Sequence, residues 1–271
     1  MDEASPRELF HYTSIEKFFK IVTNKSLWLF DIHKLNDSEE VIYFVKQYSE
    51  KWFREVCKEK NIEFSQDDCD NLYLYPDKPY IFCMSEARDL LSQWRGYADD
   101  GYGVSLGLSY SELFKMQNLS SNVMLNKIQY GQDFSHITFD IRKEIEDYLI
   151  NKNPAIYQHI KLALSILGTW HKNDAFIEEK EWRLVFNSTY HSDSMCYDNS
   201  EDEYKMNCLQ FLPVRGDFRG YYALSISEKA NVITSVRLGP KCKCTLSEMR
   251  DFLMTNGFDN VDISRSTIPY I

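Results

Sequence analysis

The spacing of hydrophobic positions changes several times along the chain, and each change marks an element. Residues 8–12 (Glu8-Leu9-Phe10-His11-Tyr12) read as a short strand. Thr13-Ser14-Ile15-Glu16 then reads as a capping box: Thr13 accepts the backbone N–H of Glu16, whose side chain reaches back. Ile15, Phe18, Phe19 and Val22 follow at helical spacing, with Asn24 as the stop. A strand at 27–32 comes next. A helix follows over roughly 38–60, with Val41, Val45, Tyr48, Trp52 and Val56 on one face. The polar stretch near 61–78 has no clear period and reads as loop.

Residues 79–85 form an apolar run, the pattern of a buried strand. Residues 103–109 read as another, after the turn Asp99-Asp100-Gly101-Tyr102-Gly103. A strand at 124–130 and helices at 136–150 and 155–172 follow. Ile156, Ile160, Ala163, Leu167 and Trp170 give the second helix a broad apolar face. The remainder predicts a strand entered from Glu179-Lys180-Glu181, an acidic mobile loop near 197–204, and strands near 209–213, 221–225 and 232–238. A helix at 245–256 and a last strand near 259–263 complete the chain. The order has no regular β-α-β rhythm, so the expected fold class is α+β.

At 271 residues the chain can bury a sizeable core. No Gly/Ser/Pro-rich linker divides it, so a single domain over 1–271 is expected, with a helical insertion at about 136–172. No apolar run is long enough to span a bilayer, and the charged N-terminus lacks a signal-peptide core; a cytoplasmic protein without membrane contact is expected. The odd count of seven cysteines argues against structural disulfides. Cys242-Lys243-Cys244 has neither a second pair nor a histidine cluster, so no metal is expected. A net charge of −10 disfavours broad binding to phosphate backbones, without excluding a local basic groove.

Three places can carry chemistry. Glu179 and Glu181 lie two apart at a predicted strand start and would share one face. A carboxylate near a ribose that develops oxocarbenium character stabilises that state, and a second can take a proton from an attacking nucleophile. Alternatively, the pair is a solvated hairpin end with Arg183 as a surface partner. His11, at a strand end just before a helix, can hold a ribose hydroxyl or be satisfied by a backbone carbonyl at the core edge. In Ser85-Glu86-Ala87-Arg88-Asp89-Leu90-Leu91-Ser92-Gln93-Trp94-Arg95-Gly96-Tyr97, the residues Trp94, Arg95 and Tyr97 offer an aromatic wall and a cation for a pyrophosphate. Gly101-Tyr102-Gly103-Val104-Ser105-Leu106-Gly107 is no dinucleotide fingerprint. Leu106 stands where that pattern wants Gly, and a strand follows.

Phe10-His11-Tyr12-Thr13-Ser14, Leu35-Asn36-Asp37, Phe82-Cys83-Met84-Ser85-Glu86, the S-Q-W-R-G-Y block, the E-K-E-W-R block and Ser266-Thr267-Ile268-Pro269-Tyr270 occur in this order. The set resembles a widespread bacterial family catalogued as a domain of unknown function. A weaker resemblance is to ADP-ribosyltransferases, in the His-bearing first strand, a Ser on a second strand and an E-x-E motif. That resemblance implies a split-sheet core with NAD as substrate and an unknown macromolecular acceptor, protein or nucleic acid. It implies Glu181 as the catalytic carboxylate, Glu179 orienting the acceptor, and His11 and Ser85 positioning NAD, with Tyr12 and Thr13 beside it. It also implies NAD-dependent transfer or NAD hydrolysis in a toxin or anti-phage setting. Tyr12 stands where the H-G-T enzymes have Gly. Two other readings stand beside it: a non-catalytic nucleotide or nucleic-acid-end binding module, and a metal-independent nuclease using His11 and Glu181.

Overall fold

The computed structural model describes residues 6–34, 38–70, 72, 79–119, 123–131, 138–187, 204–214, 216–226 and 231–270. Leu35-Asn36-Asp37, the start of the helix expected from 136 and residues 197–203 of the acidic loop lie outside them. The chain divides into two compact units. The first comprises Met1–Asp31, Tyr80–Lys127 and Glu178–Ile271; the second comprises Ile32–Pro79 and Ile128–Ile177.

The first unit is built on a mixed, open ten-stranded sheet. Its strands are β1 (Glu8–Thr13), β2 (Ser26–Asp31), β3 (Pro79–Ser85), β4 (Val104–Ser109) and β5 (Val123–Lys127). The short strands β6 (Gln129–Tyr130) and β7 (His171–Lys172) belong to the second unit. The sheet continues with β8 (Glu181–Asn187), β9 (Gln210–Val214), β10 (Asp217–Ser225), β11 (Ile233–Leu238) and β12 (Asp262–Arg265). The order is β12-β11-β4-β1-β3-β2-β10-β9, and β8 pairs with β3 while carrying β5 beside it. The sequence-distant strands β1 and β8 therefore both pair with β3. β11 and β12 run parallel; β1 pairs antiparallel with both β3 and β4.

The helices are α1 (Ile15–Asn24), α2 (Ser38–Lys60), α3 (Asp67–Asp70), α4 (Leu91–Tyr97), α5 (Tyr110–Leu119), α6 (Thr138–Asn151), α7 (Pro154–Thr169) and α8 (Leu246–Thr255). The α1 cap sits one residue later than the sequence suggests. Ser14, not Thr13, accepts from the backbone N–H of Lys17, and Glu16 pairs with Lys20 one turn on. Thr13 is still hydrogen-bonding strand and is buried. The helix then ends at Lys25, which takes a left-handed conformation (φ 48°). The strand expected at 124–130 divides into β5 and β6. Lys172, expected in α7, instead follows its end in β7.

The sheet separates two apolar clusters. On one side Leu9, Phe82, Met84, Leu106 and Leu184 pack with Phe18 and Val22 of α1 and Met249 and Leu253 of α8. On the other, Phe10 and Tyr12 pack with Trp94 of α4 and Ala98. Strand alternation fixes this division, because successive side chains of β1 point to opposite faces.

The second unit is mostly helical. Arg142 of α6 reaches Glu55 and Glu59 of α2, and Asp68 accepts from Tyr148 and Lys152. His171 stacks on Phe44. No helix among the described residues is long and apolar enough to cross a membrane. The expectation of no disulfide fails at Cys208, which is disulfide-bonded; an odd total does not preclude one pair. Cys57, Cys69, Cys83, Cys242 and Cys244 are not in disulfides.

Candidate functional site

The site residues named from the sequence fall into three groups, and the sheet decides which can act together. His11 lies between Tyr12 and Phe10 on β1, so it projects to the Leu9 side, where its ring stacks on Phe82 at 4.2 Å. Its Nδ1 meets the Cys83 carbonyl at 2.8 Å. That bond makes Nδ1 the protonated nitrogen and leaves Nε2 as the acceptor. Burial lowers the His11 pKa to about 4, against a smaller opposing effect of the Cys83 bond, so the ring is neutral at pH 7. The carbonyl-satisfied arrangement is the one adopted.

Glu181 opens β8. Trp182, Leu184 and Phe186 of that strand face the Leu9 side of the sheet, so Glu181 and Arg183 face the opposite one. His11 and Glu181 thus stand on two strands that each pair with β3, but they point to opposite faces. Ser85 belongs with Glu181, because it is the register partner of Phe10.

The E-x-E pair is not a regular two-residue alternation. Glu179 ends a short 3-10 turn over Asp174–Glu179, and Lys180 is left-handed (φ 45°) before β8 begins. The backbone therefore turns between the two carboxylates and gives them different partners. The Ser85 hydroxyl donates to the Glu179 carbonyl at 2.6 Å and accepts from the Ala87 N–H, fastening the E-x-E tip to the end of β3. Tyr97 donates to Glu179 Oε1 at 2.9 Å. Arg183 holds Glu181 with two bonds, Nε to Oε1 at 2.6 Å and Nη2 to Oε2 at 3.2 Å. Both members of that pair are buried, Arg183 completely. The alternative of a solvated hairpin end with Arg183 as a surface partner is overturned, because Arg183 is fully buried. Its i, i+2 spacing from Glu181 on a strand was the available signal for a shared face.

The S-Q-W-R-G-Y block does something different from the wall expected of it. Trp94 is fully buried and donates through Nε1 to Asp89 at 2.7 Å. Asp89 also accepts from Ser266, the Thr267 N–H and Arg237. Desolvation raises the Asp89 pKa, but the bonds from Ser266, Trp94 and Thr267, with Arg237, outweigh it and hold the pKa below the ordinary range. Tyr12 donates to the Ala87 carbonyl and accepts from the Leu90 N–H, bracing the loop ahead of α4; burial pushes its phenol up to about 12. Tyr12, Thr13 and Trp94 are therefore internal. Arg95 and Tyr97 remain exposed, Arg95 lying over the Tyr270 ring at 5.6 Å.

Gly103 and Gly107 are explained by packing. A Cβ on Gly103 would lie 2.1 Å from the Thr13 carbonyl, and one on Gly107 would lie 2.1 Å from the Ser235 hydroxyl. Among the described residues no group of three or more His, Cys, Asp or Glu side chains is placed to hold a metal ion.

Residues 93–184 match the family model described as a protein of unknown function, DUF2971. That span runs from α4 into β8 and contains Tyr97, Glu179, Glu181 and Arg183. Likeness to that family holds over those residues. No curated protein and no solved structure matches the chain.

Proposed function

We propose that the first unit is an ADP-ribosyltransferase-like module that binds NAD at the Ser85–Glu181 face and the adjoining Glu179 turn. There it cleaves the nicotinamide–ribose bond and passes ADP-ribose to a macromolecule or to water. One observation supports this reading: the Ser85 hydroxyl bond to the Glu179 carbonyl joins the end of β3 to the turn that leads into β8, so two distant motifs meet. In this scheme Glu181 stabilises the developing oxocarbenium ion and Glu179 takes the proton of the attacking group. His11 is assigned to packing and tautomer-specific bonding on the reverse face, not to the reaction.

A second reading has its own support. Glu181 is only 4% exposed and is engaged by Arg183, an arrangement that also suits a nucleotide-binding module without chemistry. Nicotinamide release from NAD by wild type and Glu181→Gln, with and without cell lysate, separates the two. Release that needs Glu181 supports cleavage. NAD binding with no release in either condition supports the binding module.

A further inference from the structure

Resting on that reading, we infer that Tyr97 is the positioning residue for Glu179 and thereby sets how ADP-ribose divides between a macromolecular acceptor and water. Tyr97 is the last residue of α4 and is 39% exposed. Its hydroxyl nevertheless spends itself inward, on Glu179 Oε1 at 2.9 Å. Glu179 itself is 8% exposed, and its backbone is fixed independently by Ser85. The carboxylate is thus held from two sides: its main chain by β3 and one oxygen by α4. Glu181 has a separate holder, Arg183. Tyr97 thus bonds one carboxylate and Arg183 the other, and the two bonds are addressed by different substitutions.

The chemistry gives these two contacts different consequences. The ribose C1′–nitrogen bond breaks, and the nicotinamide leaves with the bonding pair as the neutral base. A lone pair of the acceptor's oxygen or nitrogen forms the new bond to C1′, and the acceptor's proton passes to Glu179. Bond breaking draws on Glu181. Choice and activation of the nucleophile draw on Glu179, whose orientation depends on the Tyr97 hydroxyl. A charge-assisted hydrogen bond of this kind narrows the carboxylate's rotamers as well as stabilising it.

The test is Tyr97→Phe, which keeps the ring and removes only the hydroxyl, with Glu179→Gln and the double variant beside it. NAD consumption and acceptor labelling are measured in lysate. The expected result for Tyr97→Phe is a transfer-to-hydrolysis ratio reduced about tenfold. Nicotinamide release should stay within about threefold of wild type and KM for NAD unchanged. The double variant should fall no further than Glu179→Gln alone, since the pair acts as one unit. An unchanged ratio in Tyr97→Phe, or additive losses in the double variant, overturns the inference. Wild type that releases nicotinamide but labels no acceptor overturns it while leaving NAD hydrolysis standing. Wild type that releases none in any condition removes both.

Discussion

At the scale of single residues, the sheet turns ambiguous side chains into assigned ones. Tyr12 is an example: its hydroxyl serves two backbone groups of one loop, so removing it strands both. Tyr12→Phe should lower stability by about 1–2 kcal/mol, read as a shift in urea midpoint at unchanged slope. His11 makes a pH prediction. Its folded pKa of about 4 lies below the ordinary 6.5, so between those values the unfolded chain binds a proton that the folded chain refuses. Stability should therefore be insensitive to this group above pH 6.5 and should fall as pH drops towards 4. The loss attributable to His11 is about 2 kcal/mol by pH 5, and it should be missing from His11→Asn when both are compared at pH 7 and pH 5. An equal acid-induced loss in the variant would assign the slope to other groups.

At the scale of elements, local pattern was a good guide wherever an apolar run or a helical period was unbroken. The apolar run 79–85 is β3 to the residue, α2 covers 38–60, and β1 differs by one residue at its end. The helices α4 and α5 were not legible. α4 begins from Leu90 without a side-chain cap and is anchored instead through Trp94 to Asp89, a local side-chain bond that no apolar periodicity encodes. Glu179 and Glu181 were found by spacing. Their separate partners were not, because the left-handed Lys180 breaks the alternation from which a shared face was expected. Asp89 is the strongest consequence at this scale. It joins α4, Arg237 of β11 and the 266–267 segment, so Asp89→Asn should cost about 2–4 kcal/mol by leaving Arg237 without its carboxylate. Faster proteolysis at the C-terminal segment should accompany the loss, whereas a wild-type cleavage pattern would deny Asp89 its joining role.

At the scale of the whole molecule, the two-unit division was hidden from sequence for a physical reason. The second unit is assembled from two separate stretches, so the chain passes between units at 31–32, 79–80, 127–128 and 177–178. None of these boundaries needs a flexible, Gly/Ser-rich linker, and composition marks none of them. The larger outcome is sidedness: motifs that read along the chain as one constellation are distributed over two faces of one sheet. Glu181 and Ser85 share a face, with the Glu179 turn tied to the end of β3, and His11 is on the other face. On the proposed reading, the E-x-E segment carries the chemistry and the histidine face carries structure. This claim is tested most directly by nicotinamide release from NAD by His11→Asn and Glu181→Gln, measured side by side on folded protein. The account predicts that His11→Asn stays within about threefold of wild type while Glu181→Gln loses about a hundredfold or more. Equal, large losses in both variants would contradict it and place the imidazole and the carboxylate in one site.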